Sequence, residues 1–214
     1  MNRVQAAQLV GRPFFGALVR TFAPFRVYGT ERIPRHGPLV VCCNHFSWLD
    51  PWALGSVVPR NLYYVAKQEA HDTPVMGSFI RLFGTTPVRR GESDREAVRA
   101  MRDIVRRGGA LGMFPEGTRQ PREPGPVMPG AAMVAIQEEA QIICAAIHGS
   151  QDWRLGNFHP VSLAFGEAFT LDLPRNSKGY RAGAAEIEAR LRTLWTFLVH
   201  THELGRPKLA VPPA

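Results

Sequence analysis

The run Leu39–Cys43, LVVCC, is apolar at every position. A strand with one wet face alternates polar and apolar side chains, so an unbroken run belongs in a sheet covered on both faces. Residues 110–114 and 142–147 repeat the pattern, and 161–165 comes close to it. Shorter strand candidates stand at 25–28, 62–66 and 85–88. Helical patterns fall between them, at 50–57, 74–83, 94–107, 131–140 and 182–200. The clearest is 94–107. Ala97, Val98, Met101, Ile104 and Val105 form one stripe there, Ser93 and Glu96 fit a capping box, and Gly108-Gly109 ends the helix. This alternation predicts an α/β fold, a mostly parallel mixed sheet flanked by helices, with a short N-terminal amphipathic helical appendage. The 214 residues suit one such domain, assigned to 25–206, with 1–24 as the appendage and 207–214 as a tail expected to fray.

The appendage carries Leu9, Val10, Phe14, Phe15, Leu18, Val19 and Phe22 at helical spacing, punctuated by Arg3, Arg12 and Arg20. Pro13 is expected to divide it into two short helices. It reads either as an ordinary amphipathic helix packed on the domain or as an interfacial anchor, with phenylalanines at the acyl boundary and arginines on anionic headgroups. The three arginines argue against a spanning helix, and no apolar stretch reaches the ~18 residues that one needs. The formal net charge of +8 points to an anionic partner. Nucleic acid is disfavoured, because no zinc spacing or other nucleic-acid module is present. A phospholipid surface or a phosphorylated substrate fits better. Cys42, Cys43 and Cys144 lie in apolar runs and read as small buried hydrophobes in a reducing compartment. His36, His71, His148 and His159 have no partner that the sequence identifies, and His200 and His202 read as surface residues, so no metal site is supported.

Chemistry concentrates where strands end. The stretch NHFSWLDP, residues 44–51, follows a buried strand and opens a helix. His45 there is a candidate general base and Asp50 its orienter. Asp50-Pro51 is also a good helix start, so Asp50 is expected to cap the helix with one carboxylate oxygen and hold His45 with the other. Lys67 and Glu69 follow the next strand and face either a cleft or solvent. Arg89 and Arg90 follow 85–88 and point to opposite faces, so one of them faces any given pocket. The run Pro115-Glu116-Gly117-Thr118-Arg119 follows 110–114. Its amides, hydroxyl and guanidinium suit a phosphate, with Glu116 pairing an arginine, or it is a polar turn with a surface arginine. Residues 120–130 are rich in proline and glycine and read as a loop beside the site.

NHFSWLD together with FPEGTR resembles the glycerolipid acyltransferase family, the phospholipid-synthesis enzymes related to 1-acylglycerol-3-phosphate acyltransferase. The resemblance covers residues 28–166. Asn44-His45 through Asp50 matches the histidine–aspartate motif, Lys67 and Glu69 the lysine-x-glutamate stretch, and Gly84 to Arg90 the glycine-to-arginine block. Phe114 to Arg119 matches in full, and Gly130-Ala131 fits the glycine that opens the next helix. Two positions depart: Cys144 stands where the family carries a proline, and Met128-Pro129 where it carries a basic residue. The resemblance implies acyl transfer from acyl-CoA or acyl carrier protein, as co-substrate and without a cofactor, to the hydroxyl of 1-acylglycerol-3-phosphate. It makes His45 and Asp50 catalytic, and gives Lys67, Arg90, Glu116, Gly117, Thr118 and Arg119 to the substrate. It implies a peripheral or interfacial place at a bilayer surface on the cytoplasmic face of the cell membrane. The alternatives are another lysolipid acceptor, a non-catalytic membrane-binding module, or a thioesterase in which water replaces the acceptor.

Overall fold

The computed structural model describes residues 3–67, 71–73, 77, 80, 84–88 and 94–214. Its centre is the mixed α/β sheet the apolar runs predict. The strands are β1 (Phe25–Tyr28), β2 (Leu39–Cys43), β3 (Leu62–Lys67), β4 (Thr85–Val88), β5 (Ala110–Met113), β6 (Gln141–His148) and β7 (Val161–Phe165). They lie in the order β1-β7-β6-β2-β5-β3-β4. All neighbours are parallel except β6 and β7. The α-helices with bounds among the described residues are α1 (Arg3–Phe22), α2 (Asp50–Val57), α3 (Asp94–Arg106), α4 (Gly130–Gln137) and α5 (Ser177–Glu203). Among the described residues no helix is long and apolar enough to cross a membrane.

β2 shows why its sequence has no polar alternation. Leu39, Val41 and Cys43 pack with Val19 of α1 and Ala53 and Leu54 of α2 on one face. Val40 and Cys42 pack with Val105 of α3, Val134 of α4 and Leu191 of α5 on the other. Every residue of β2 is fully buried. Each large apolar side chain so covered contributes about 1.5–3 kcal/mol. A charge at Val41 would have no solvent to turn to, on either face.

Several expectations need correction. α1 runs unbroken through Pro13 and docks on the domain. Gln8 bridges it to β3, donating to Leu62 O at 2.9 Å and accepting from Leu62 N at 3.0 Å. α5 begins at Ser177, ahead of the expected start at 182, because the Asn176 side chain caps it by accepting from Lys178 N and Gly179 N. The C-terminal tail is tied down. Arg32 donates to Pro212 O at 3.0 Å and Pro213 O at 2.8 Å. His202 is half-buried, hydrogen-bonded to Ser162 Oγ at 2.9 Å and edge-on to the His148 ring. The expected helix at 74–83 lies largely outside the described residues, as do Glu69, Arg90 and the Ser93 end of the capping box.

Candidate active site

Because β2, β3, β4, β5 and β6 are parallel to one another, their C-terminal ends share one edge of the sheet. The site is built there. Asn44, the first residue past β2, is fully buried. Its carboxamide donates to Ile147 O at 3.0 Å and accepts from Ile147 N at 2.8 Å. A side chain thus continues the β2–β6 ladder where the backbone turns away, and it fixes the exit direction of His45. Sequence reasoning noted Asn44 as part of a motif and missed this role.

Asp50 lies at the first residue of α2 and is fully buried. It does not cap that helix. The N-cap is Leu49, with no side-chain hydrogen bond. Instead the carboxylate turns back on the preceding loop. Oδ2 accepts from His45 Nδ1 at 2.9 Å, Phe46 N at 2.6 Å and Ser47 N at 2.7 Å. Oδ1 has no partner among the described residues. Three converging donors outcompete the helix's own first turn. A carboxylate that only accepts requires the hydrogen on Nδ1, so in the neutral ring the lone pair is on Nε2. Ser47 Oγ accepts from Leu49 N at 3.3 Å and so serves the turn.

The imidazole is held from the side by Phe114, whose ring stacks on it at 4.2 Å. Tyr64 lies parallel to Phe114 at 6.2 Å and donates to Pro51 O at 3.0 Å. Gly112 makes room for that ring, since a Cβ there would come within 2.5 Å of Tyr64.

Glu116 is only 3% exposed and takes no arginine among the described residues as a hydrogen-bond partner, contrary to expectation. Its Oε2 accepts from His45 N at 2.8 Å and its Oε1 from Gly125 N at 2.9 Å. Gln120 N donates to His45 O at 2.7 Å. The segment after β5 therefore clasps the His45 backbone on both sides. Burial raises the Glu116 carboxyl to about 7, against the opposing pull of the two N–H donors. Gly117, Thr118 and Arg119 follow on the open side and are exposed. Gly117 sits at φ +71°, and a Cβ there would come within 3.0 Å of the Met128 side chain. Arg119 forms no ion pair among the described residues. Lys67 ends β3 at this edge. β4 points its C-terminal end the same way, but Arg90 lies outside the described residues.

A histidine with one nitrogen oriented and the other open, at the carboxyl edge of a mostly parallel sheet, defines an α/β protein equipped for proton abstraction. The chain belongs to the Acyltransferase family, whose model matches residues 24–148. It is 30% identical over 125 residues to the 1-acyl-sn-glycerol-3-phosphate acyltransferase of Bacillus subtilis, covering 58% of this chain and 62% of that one. It is 30% identical to the lyso-ornithine lipid O-acyltransferase of Brucella abortus, over 83% of this chain and 70% of that one. The chain thus spans less than two thirds of the Bacillus relative. The fold is that of the crystal structure of the 1-acyl-sn-glycerophosphate (LPA) acyltransferase PlsC from Thermotoga maritima, with a TM-score of 0.69, 21% identity, and coverage of 95% of this chain and 80% of that one.

Proposed function

We propose that this chain transfers a fatty acyl group from a thioester, acyl-CoA or acyl carrier protein, to the hydroxyl of 1-acylglycerol-3-phosphate, giving phosphatidate at the cytoplasmic face of a membrane. The observation that carries the reading is His45, whose Nδ1 bonds to Asp50 at 2.9 Å while its Nε2 is left to act. An alcohol is a poor nucleophile at neutral pH. Nε2 takes the hydroxyl proton as the oxygen attacks the thioester carbonyl, and Asp50 stabilises the imidazolium. When the tetrahedral intermediate collapses, the C–S bond breaks and the thiolate leaves with that proton. A positioned base of this kind contributes about 10²–10⁴-fold. The exposed Arg119, with Lys67 and Arg90, would grip the acceptor phosphate by charge-assisted bonds.

A second reading keeps the chemistry and changes the acceptor. The Brucella relative, matched over 83% of this chain, is named for a lysolipid built on ornithine. An acceptor panel separates the two. Purified protein with acyl-CoA is offered lysophosphatidate and lyso-ornithine lipid, and the wild type is compared with His45→Ala. Preference for lysophosphatidate supports the first reading, and preference for the ornithine lipid the second. Turnover undiminished in His45→Ala refutes both.

A further inference from the structure

We infer that residues 149–160, the loop between β6 and β7, form with Trp48 a lipid-docking tip that seats the active-site edge on an anionic phospholipid bilayer. Topology puts the loop at that edge. β6 is parallel to β2, and β7 returns antiparallel to β6, so the connection leaves the sheet where β2 delivers His45.

The loop is folded on itself. Asn157 Oδ1 accepts from Arg154 N at 3.0 Å and His159 N at 3.1 Å, and its Nδ2 donates to Asp152 O at 2.9 Å. Trp153 is its buried root. The indole N–H donates to Phe22 O at the end of α1, at 3.1 Å, and the ring meets that of Trp48 edge-on at 5.5 Å. A loop pinned this firmly has no need to leave large apolar side chains in water. Yet Leu155 is 73% exposed and Phe158 56% exposed, and Trp48, whose ring meets the loop's Trp153, is 56% exposed. Phe158 also holds φ at +50°, a left-handed conformation that bulky residues avoid. A hydrogen-bonded tip that exposes two aromatic side chains and a leucine is the chemistry of a bilayer interface.

Charge selects the kind of bilayer. Arg154 is exposed on the loop. Arg122, 80% exposed on the neighbouring active-site loop, meets the loop's Asp152 only at 3.9 Å. With the chain's net charge of +8, this edge fits anionic headgroups. The inference rests on the proposed transfer for its purpose, since a membrane-borne acceptor would then enter beside His45. It rests on the loop's own geometry for its existence.

The test labels the full chain at Leu155→Cys with a polarity-sensitive NBD dye; the native cysteines are buried. Vesicles of phosphatidylglycerol and phosphatidylcholine are expected to blue-shift the dye and shield it from iodide. Unlabelled Leu155→Ser/Phe158→Ser protein is expected to float with these vesicles about tenfold less than wild type. It should keep the wild-type melting curve and its turnover of a short-chain, monomeric acceptor. A dye that stays fully quenchable on vesicles overturns the inference. So does a blue shift that needs no lipid and grows with protein concentration, which would assign the patch to a second copy of this chain. Docking is read without turnover. A protein that docks but acylates nothing refutes the proposed function alone, and one that acylates the soluble acceptor but does not dock refutes this inference alone.

Discussion

Replacing Asp50 by Asn separates two jobs that one oxygen performs. Oδ2 receives the His45 ring and the amides of Phe46 and Ser47, while Oδ1 is buried without a partner among the described residues. An amide seated with its oxygen at the Oδ2 position keeps three bonds but makes them neutral. A hydrogen bond to a charged group contributes about 1.5–3 kcal/mol and a neutral one about 1, so about 1 kcal/mol is lost per bond, or about 3 in all. The amide nitrogen then occupies the Oδ1 position with no acceptor, adding about 1–2 kcal/mol. The opposite seating aims an NH₂ at three donors and is worse. Asp50→Asn is therefore expected to lower the unfolding free energy by about 4 kcal/mol, a large share of the ~5–15 kcal/mol of an ordinary domain.

Urea unfolding measures this, and a double-mutant cycle apportions it. Two of the three donors are backbone amides that survive removal of the imidazole. In a His45→Ala background, Asp50→Asn should still cost about 3 kcal/mol, the His45 bond accounting for the missing ~1. Activity should behave differently. In the proposed transfer His45 and Asp50 act as a unit, so each single variant is expected to lose about 10²–10⁴-fold in turnover, and the double variant little more than the worse single one. If Asp50→Asn costs under about 1 kcal/mol, or if its whole cost vanishes without His45, the three-donor account is wrong.

Other perturbations follow from neighbouring groups. Glu116 binds its proton more tightly folded, at about 7, than unfolded, at an ordinary 4.5. Its contribution is thus fullest below 4.5 and is lost as pH rises through 7. Glu116→Gln should flatten that slope in urea midpoints taken from about pH 5 to about pH 8. His202 is opposite in sign. Burial first, then the charges of His148, Arg206 and His159, lower it from 6.5 to about 3, so its contribution is lost as pH falls below 6.5. Thermal melts in acid should show His202→Asn less acid-sensitive than wild type; equal acid sensitivity would count against the buried neutral ring. Gly112→Ala places a methyl 2.5 Å from the Tyr64 ring and should dislodge its bond to Pro51 O. A stability loss of about 1–3 kcal/mol is expected, with turnover falling more than acceptor KM rises; wild-type turnover would show that the Tyr64–Phe114 stack does not position His45.

The strands were legible because their signal is local. A run buried on both faces stays apolar whatever its neighbours are, and β2 and β7, buried at every residue, stand at the residues expected, as do the edge strands β1 and β4. The start of α5 was not, although its signal exists. Asn176 is a good N-cap, but Gly179 and Gly183 dilute the helical pattern just after it. Gly183 is small because a Cβ there would come within 2.8 Å of Ala132 and Leu171, which is a fact about packing. The tail and His202 were misread for a like reason: Arg32 and Ser162, which hold them, are far away in the chain.

The candidate site divides along the same line. The motifs located His45 and Asp50, and their contact spans only five residues. What Asp50 does with its carboxylate could not be read from Asp-Pro alone. A capping side chain chooses between the helix ahead and the turn behind, and that choice depends on where three N–H groups point. Glu116 is the sharper case. It was expected to orient an arginine because it stands next to Gly-Thr-Arg. It binds instead the His45 amide, 71 residues earlier, and the Gly125 amide. Its two oxygens join the loop that carries His45 to the loop beside Arg119. One buried carboxylate thereby couples the group proposed to take the proton to the group proposed to hold the phosphate. Shortening it, as in Glu116→Asp, should loosen both grips together. Turnover should fall and acceptor KM rise in the same variant, where a residue serving only the phosphate would raise KM alone.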